Sequence, residues 1–119
     1  MDDIKLNECN ILINNKEIKL NYPVKMFEKI ADLYIILLDI PTRIELGSVE
    51  LNNIVCYDDK GEYIWSVDNK LPSQIVSKEQ TPYVAIQVQD NILKATDFFG
   101  RRFHINFADG RLLKYEIVK

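Results

Sequence analysis

Residues 53–68 constrain the fold more strongly than any other stretch of this 119-residue sequence. Two runs rich in β-branched and aromatic residues flank the segment Asp58-Asp59-Lys60-Gly61. Such runs are typical of strands, and the glycine can adopt the left-handed conformation that closes a three-residue hairpin loop. The stretch therefore predicts a β-hairpin with Asp59, Lys60 and Gly61 as its loop.

The loop fixes a register, because directly opposed residues of a hairpin share a face of the sheet. It pairs Asp58 with Glu62, Tyr57 with Tyr63, Cys56 with Ile64 and Val55 with Trp65. One face then carries Val55, Tyr57, Tyr63, Trp65 and Val67, and the other carries Ile54, Cys56, Ile64 and Ser66. We expect the N-terminal hairpin to bury Trp65, while Tyr57 and Tyr63 stay partly exposed next to the loop.

The rest of the chain predicts further antiparallel hairpins. Residues 9–20 form one about Asn15-Lys16, which pairs Ile13 with Ile18. Residues 83–97 form another about Asp90-Asn91, which pairs Val88 with Leu93 and Ile86 with Ala95. The most apolar run, 33–38, predicts a central strand buried on both faces. A short helix near 24–33 is an alternative, because apolar residues there recur at helical spacing. The predicted fold is all-β, with hairpins in a meander that form two packed sheets or a partly open barrel.

The last hairpin, 102–118, suggests an internal repeat. A three-residue loop ending at Gly110 pairs Ile105 with Leu113 and Phe103 with Tyr115, which keeps apolar residues together. When Gly61 is laid over Gly110, residues 24–68 resemble residues 83–119, so the single domain 1–119 is predicted to contain two four-stranded meanders. About nine extra residues of the first half fall in the 41–52 loop, where functional segments are often inserted.

Composition indicates a soluble, cytoplasmic protein. The sequence is 47% hydrophobic and 28% charged, which is ordinary for a globular domain. It begins without a basic and apolar leader and has no apolar run of bilayer length, so we expect no membrane contact. Cys9 and Cys56 are predicted to be reduced, small apolar residues and not a disulfide or metal ligands.

The charges are segregated along the chain. The net charge is −3, and residues 92–119 are nevertheless basic. Acidic residues are concentrated in the middle of the sequence: Asp39, Glu45, Glu50, Asp58, Asp59, Glu62 and Asp68. Overall acidity argues against nucleic-acid binding, whereas an acidic segment attracts a basic partner.

Catalytic signatures are missing from the sequence. His104 is the single histidine, so a catalytic triad or a multi-histidine metal site is excluded. Asp58, Asp59 and Glu62 could in principle bind calcium or transfer protons, but carboxylates at a polar hairpin tip are more often merely solvated. We therefore predict neither enzymatic activity nor a cofactor or metal.

Several short motifs carry a family resemblance over residues 24–119. They are Leu37-Leu38-Asp39, the run 53–58 with Gly61 and Ile64-Trp65, the strand 83–86, and Asp109-Gly110-Arg111-Leu112. Together they resemble single blades of quinoprotein-like propellers. Free-standing chains of this size and composition also resemble small bacterial immunity proteins of toxin systems, including those of contact-dependent growth inhibition.

The resemblance implies an immunity protein that binds and neutralises a cognate toxin, and the acidic middle fits a basic nuclease such as an RNase. We expect a monomer that forms a 1:1 complex. The predicted toxin-binding residues are Arg43, Glu45, Glu50, Tyr57, Asp58, Asp59, Glu62, Tyr63 and Asp68. The alternatives are a small-ligand-binding β-barrel and an adaptor β-module that uses an exposed edge strand.

Overall fold

The computed structural model of the chain describes residues 4–41, 44–67 and 81–117. Within these ranges the chain forms eleven β-strands and one helical turn. The elements are β1 (Ile4–Asn7), β2 (Asn10–Ile13), β3 (Lys16–Lys19), β4 (Val24–Ile30), β5 (Leu33–Leu38), α1 (Ser48–Leu51), β6 (Ile54–Asp58), β7 (Tyr63–Ser66), β8 (Tyr83–Gln89), β9 (Ile92–Asp97), β10 (Arg101–Ile105) and β11 (Leu112–Ile117). No helix in the described part of the chain is long and apolar enough to cross a membrane.

The strands form three antiparallel meanders in chain order. Sheet A contains β1 to β3, sheet B contains β4 to β7, and sheet C contains β8 to β11. The all-β prediction is confirmed, and among the described strands no sheet closes into a barrel. The alternative helix near 24–33 does not form, because β4 pairs along its length with the apolar strand β5.

Sheet B is the middle layer of the molecule. On one side, Tyr34, Ile36 and Leu38 of β5 pack with Ile11 and Ile13 of sheet A. On the other side, alternate residues of sheet B form the main core with sheet C; they include Ile35, Leu37, Ile54, Cys56 and Trp65 of sheet B and Ile86, Leu93, Ala95, Phe103 and Ile105 of sheet C. The predicted burial of β5 on both faces is confirmed.

A β-bulge changes the predicted register of the β6–β7 hairpin. Tyr57 pairs with Tyr63 as predicted, but Ile64 is an extra residue, so Cys56 pairs with Trp65 and Val55 with Ser66. The predicted pairs beyond Tyr57 are therefore wrong. The shift moves the Trp65 side chain onto the face of Cys56, where the core between sheets B and C buries it to 5% exposure, and not beneath the N-terminal hairpin.

The final hairpin contains a similar bulge. Phe103 pairs with Tyr115 as predicted, but Ile105 pairs with Leu112, and Leu113 is the extra residue. The N–H of Asn106 donates to the carbonyl of Arg111 at 2.8 Å, so the loop is one residue longer than predicted. In the first hairpin the turn is Asn14-Asn15, both with positive φ, and Ile13 pairs with Lys16, which corrects the predicted Asn15-Lys16 turn.

Sheets B and C share further details of local structure. The first strand of each contains a bulge, at Lys25 in β4 and at Val84 in β8. The turns that follow contain residues with positive φ, Ala31 at 52° and Asp90 at 55°. The meanders differ most at the connection between their second and third strands, 39–53 in sheet B and 98–100 in sheet C.

Candidate functional site

The predicted acidic loop between β6 and β7 is held by its own first carboxylate. Oδ1 of Asp58 accepts hydrogen bonds from the N–H groups of Lys60 and Glu62, each at 2.9 Å. The N–H of Gly61, whose φ is 81°, donates to the carbonyl of Asp58 at 3.0 Å. Such side-chain bonds to the following backbone stabilise turns. Asp58 therefore fixes the conformation of the loop, and these N–H donors partly compensate the negative charge of its carboxylate.

The same loop contacts the β2–β3 hairpin of sheet A. A Cβ atom at Gly61 would lie 3.0 Å from Cδ of Lys16 and 3.4 Å from the carbonyl of Ile13. Nζ of Lys16 also lies 3.4 Å from Oε1 of Glu62, and both side chains are largely exposed. Exposed ion pairs of this kind contribute at most about 1 kcal/mol to the free energy of unfolding. The contact therefore orients the loop more than it stabilises the fold.

Tyr57 and Tyr63 lie at the base of the loop. Their rings meet edge to face, with centroids 5.8 Å apart, and the hydroxyl of Tyr63 shares a 2.8 Å hydrogen bond with Oγ of Ser66. Burial raises the pKa of Tyr57, with a smaller contribution from the neighbouring Tyr63. Tyr63 itself is 57% exposed, so it is an aromatic group held in place at the surface.

The structure adds one carboxylate that the sequence analysis missed. Leu33 pairs with Asp58, which brings the exposed β4–β5 turn residue Asp32 to the same end of sheet B as the loop. Asp32 reaches this position because β5 pairs with β6, and the residue pattern does not predict that pairing. We call this end of sheet B the hairpin-tip surface; it consists of Asp32, Tyr57, Asp58, Asp59, Lys60, Glu62 and Tyr63.

Glu45 and Glu50 lie at the opposite end of sheet B. They belong to the connection that leads into Ile54, and the four residue steps from Ile54 to Asp58 span roughly 13 Å. Glu50 accepts hydrogen bonds from the hydroxyl of Tyr22 and from the N–H of Gly47, each at 2.7 Å, and these bonds lower its pKa, the Tyr22 bond most. Arg43 and Asp68 lie outside the described residues. The predicted set is therefore divided between the two ends of one sheet.

A groove of about 410 Å³ opens beside the 39–53 connection. Its walls include Ile44 and Leu46 from that connection, Val84 of β8 and Phe98 of the β9–β10 turn. Phe98 is 71% exposed and Leu46 is 44% exposed. The groove was not predicted from the sequence, although apolar residues in loops can indicate such a surface.

Metal binding finds no support in the described ranges. They contain no group of three or more histidine, cysteine, aspartate or glutamate side chains arranged to hold a metal ion. Asp58, Asp59 and Glu62 thus share a loop without forming such a group.

The fold and its surfaces define an all-β protein built from three stacked antiparallel meanders. The chain belongs to the DUF7957 family, which is described as a domain of unknown function and whose model matches residues 1–117. No curated protein matches the sequence. Among solved structures, the crystal structure of the computationally designed Ika8 protein is similar, with a TM-score of 0.62 and 10% sequence identity over 98% of this chain. The match covers 34% of the designed chain, so this chain spans about a third of its length, and the similarity concerns the fold alone.

Proposed function

We propose that this protein binds and neutralises a toxin domain, as a monomer in a 1:1 complex, through the hairpin-tip surface. The observation that carries the proposal is the position of Tyr63. The residue is 57% exposed, yet its hydroxyl shares a hydrogen bond with Ser66 and its ring packs edge to face with that of Tyr57. Tyrosine is enriched among residues that dominate binding energy, and a ring already held in place loses little freedom on binding.

Charge at this surface supports a basic partner. Four carboxylates, those of Asp32, Asp58, Asp59 and Glu62, lie there with the ammonium group of Lys60. Lys16 of sheet A contacts Glu62, and the six side chains together carry a net charge of −2. A nuclease needs a basic cleft for its phosphate substrate, and an acidic inhibitor associates with such a cleft faster through electrostatic steering. The proposal gives this chain a binding role and no catalytic step.

The outer faces of the stack support the monomeric state. By strand alternation, the outer face of sheet A carries Lys5, Glu17 and Lys19, and that of sheet C carries Lys94 and Lys114. Stacked repeats end where a polar face replaces an apolar one. A further apolar sheet would therefore find no matching surface at either end.

The product of the gene immediately upstream of the one that encodes this protein is the first partner to test. Both proteins are purified, and their association and dissociation rates are measured at several salt concentrations. The changed variant carries Asp59→Lys with Glu62→Lys, and Asp58 is kept because it holds the loop. We expect association to slow about tenfold or more, because steering charges mainly set the association rate. Tyr63→Ala is expected to speed dissociation and weaken binding by about tenfold or more.

Asp39→Lys with Glu45→Lys is the matched control, because it reverses two exposed charges at the other end of sheet B. It should bind nearly as the wild type does. An equal loss in this control would attribute the effect to net charge and not to the hairpin tip. Normal binding by the tip variants, or a toxin that stays active in the complex, would overturn the proposed function.

A further inference from the structure

The outer face of sheet C carries two lysines in one row. The register pairs Lys94 with His104 and His104 with Lys114, so the three residues stand side by side on adjacent strands. Arg102 lies on the same face, two residues along β10, where the register pairs it with Glu116. With strands about 4.8 Å apart, the backbones of Lys94 and Lys114 are separated by roughly 10 Å. We call Lys94, Arg102, His104 and Lys114 the basic sheet face.

This arrangement contrasts with the rest of the chain. The whole protein carries a net charge of −3, whereas the row Gln87, Lys94, His104 and Lys114 contains two lysines and no carboxylate. Arg102 and His104 already have interactions within the protein, so the argument depends on Lys94 and Lys114. Lys114 is exposed and Lys94 is half-buried, and by register both lie on the face of sheet C opposite to its core residues.

Apolar side chains border the basic row. Ile92 shares the face of Lys94 and is 41% exposed. The bulge residue Leu113 is 61% exposed and directly precedes Lys114. Because the bulge inserts Leu113 beside Lys114 opposite His104, an aliphatic group and an ammonium group are presented together at the edge of the sheet.

We propose that the basic sheet face docks an acidic protein segment, whose carboxylates contact Lys94 and Lys114 and whose apolar side chains cover Ile92 and Leu113. Charge complementarity selects an anionic partner, and the aliphatic border selects protein. Single-stranded nucleic acid is bound largely by stacking on aromatic rings. By register, the described residues of this outer face, at Gln87, Thr96 and the positions above, include no phenylalanine, tyrosine or tryptophan.

Binding of labelled poly-L-glutamate to the full chain tests the proposal, with oligothymidylate as the competing polyanion. We expect poly-L-glutamate to bind in a salt-sensitive way and to shift the backbone amide resonances of Lys94, His104 and Lys114. The variant Lys94→Glu with Lys114→Glu should bind about tenfold more weakly or worse. Lys94→Gln with Lys114→Gln, which adds no negative charge, should show a smaller loss and serves if the glutamates disturb the sheet.

The matched control is Lys5→Glu with Lys19→Glu, which makes the same charge change on the outer face of sheet A. It should retain most of the binding, and an equal loss there would overturn the proposal. Leu113→Ser leaves the charge unchanged and should weaken binding of an alternating glutamate-leucine peptide severalfold; no effect on that peptide would overturn docking to a protein segment. Tighter binding of oligothymidylate would identify nucleic acid as the occupant and also overturn it.

This inference stands apart from toxin binding at the hairpin tip. Asp59→Lys with Glu62→Lys should leave the amide shifts at Lys94 and Lys114 intact, and the basic-face variants should still bind the toxin. Salt-sensitive self-association of the wild type, detected by sedimentation, would show that the face instead takes the acidic tip of a second copy and would overturn the proposed heterologous partner.

Discussion

The side-chain amide of Asn53 forms hydrogen bonds with both the N–H and the carbonyl of Tyr83. Its Nδ2 donates to the carbonyl of Tyr83 and its Oδ1 accepts from the N–H of Tyr83, each at 2.9 Å. The same Nδ2 donates to the carbonyl of Leu38 at 2.9 Å. Asn53 is fully buried, so its amide acts as a peptide group that joins the end of β5 in sheet B to the start of β8 in sheet C.

Replacing Asn53 with leucine should therefore destabilise the fold severely. The side chain keeps nearly its size, but three buried backbone groups of Leu38 and Tyr83 lose the hydrogen bonds that Asn53 makes to them. Buried polar groups left without hydrogen bonds cost about 1–3 kcal/mol each, so we expect a loss of about 3–5 kcal/mol in the free energy of unfolding, measured with urea. Asn52→Ala is the control: Oδ1 of Asn52 has no hydrogen-bond partner among the described residues, and its removal should cost less than about 1 kcal/mol. Equal losses in both variants would contradict the assigned role of Asn53.

Gly110→Ala should be more destabilising than Gly61→Ala, although both glycines have φ near 80°. A Cβ atom at Gly110 would lie 2.5 Å from Cε3 of Trp65, and that indole is fixed because its Nε1 donates to the carbonyl of Phe107 at 2.8 Å. At Gly61 the nearest atom belongs to the flexible Lys16 side chain. We expect losses of about 2–4 kcal/mol and about 1–2 kcal/mol in the free energy of unfolding.

Fluorescence distinguishes the two glycine variants further, because Trp65 is the only tryptophan in the sequence. Its emission in the folded state should shift in Gly110→Ala and stay unchanged in Gly61→Ala. A similar loss of stability in both variants, with no change in emission, would show that backbone strain alone accounts for the effect.

Local turn chemistry was sufficient to predict part of the fold. The Asp90-Asn91 turn correctly paired Val88 with Leu93 and Ile86 with Ala95, because a two-residue hairpin loop fixes the register of its strands. The pair Tyr57 and Tyr63 was correct for the same reason, since it lies next to the loop. A bulge inserts a single residue and moves every later side chain to the other face. Neither Ile64 nor Leu113 carries a sequence signal that distinguishes it from an ordinary strand residue, so both bulges were missed.

The candidate site was predictable only where it lies within one hairpin. Asp58, Asp59 and Glu62 were brought together correctly because they share a loop. Asp32 joins them through the pairing of β5 with β6 across the long 39–53 connection, a contact that hydrophobic patterning does not specify. Asn53 was missed as well, because nothing in the sequence distinguishes it from its neighbour Asn52, and only the packing of sheet C on sheet B gives its amide three partners.

Tyr22→Phe should raise the pKa of Glu50. The Tyr22 hydroxyl is the largest cause of the lowered pKa of that carboxylate, followed by the N–H of Gly47. Removing one oxygen atom leaves the Gly47 bond in place, so the pKa should move toward the ordinary glutamate value without reaching it. Titration of the Glu50 side chain by NMR measures the shift. An unchanged pKa of Glu50 would contradict the hydrogen bond from Tyr22.

Cys56 should remain a protonated, unreactive thiol in the folded protein. Burial, with a smaller contribution from the charge of Asp58, raises its pKa to about 12, whereas Cys9 is only half-buried. Because the thiolate is the reactive form, a thiol reagent such as Ellman's reagent at pH 8 should modify Cys9 in the native protein and both cysteines in urea. Modification of both at equal rates under native conditions would contradict the burial of Cys56.

The raised pKa of Cys56 also makes the stability of the fold depend on pH. An unfolded cysteine loses its proton near pH 8.5, whereas folded Cys56 keeps its proton up to about pH 12. Above pH 9 the unfolded state therefore binds fewer protons than the folded state, and the contribution of Cys56 to the free energy of unfolding falls by about 1.4 kcal/mol per pH unit. Below pH 8 this contribution is fully present. Urea unfolding of the wild type and Cys56→Ala at pH 7, 9 and 10 isolates the effect, because every other titrating group is common to both. The stability difference between the two proteins should shrink from pH 9 to pH 10, and a constant difference would show that Cys56 ionises alike in the folded and unfolded states.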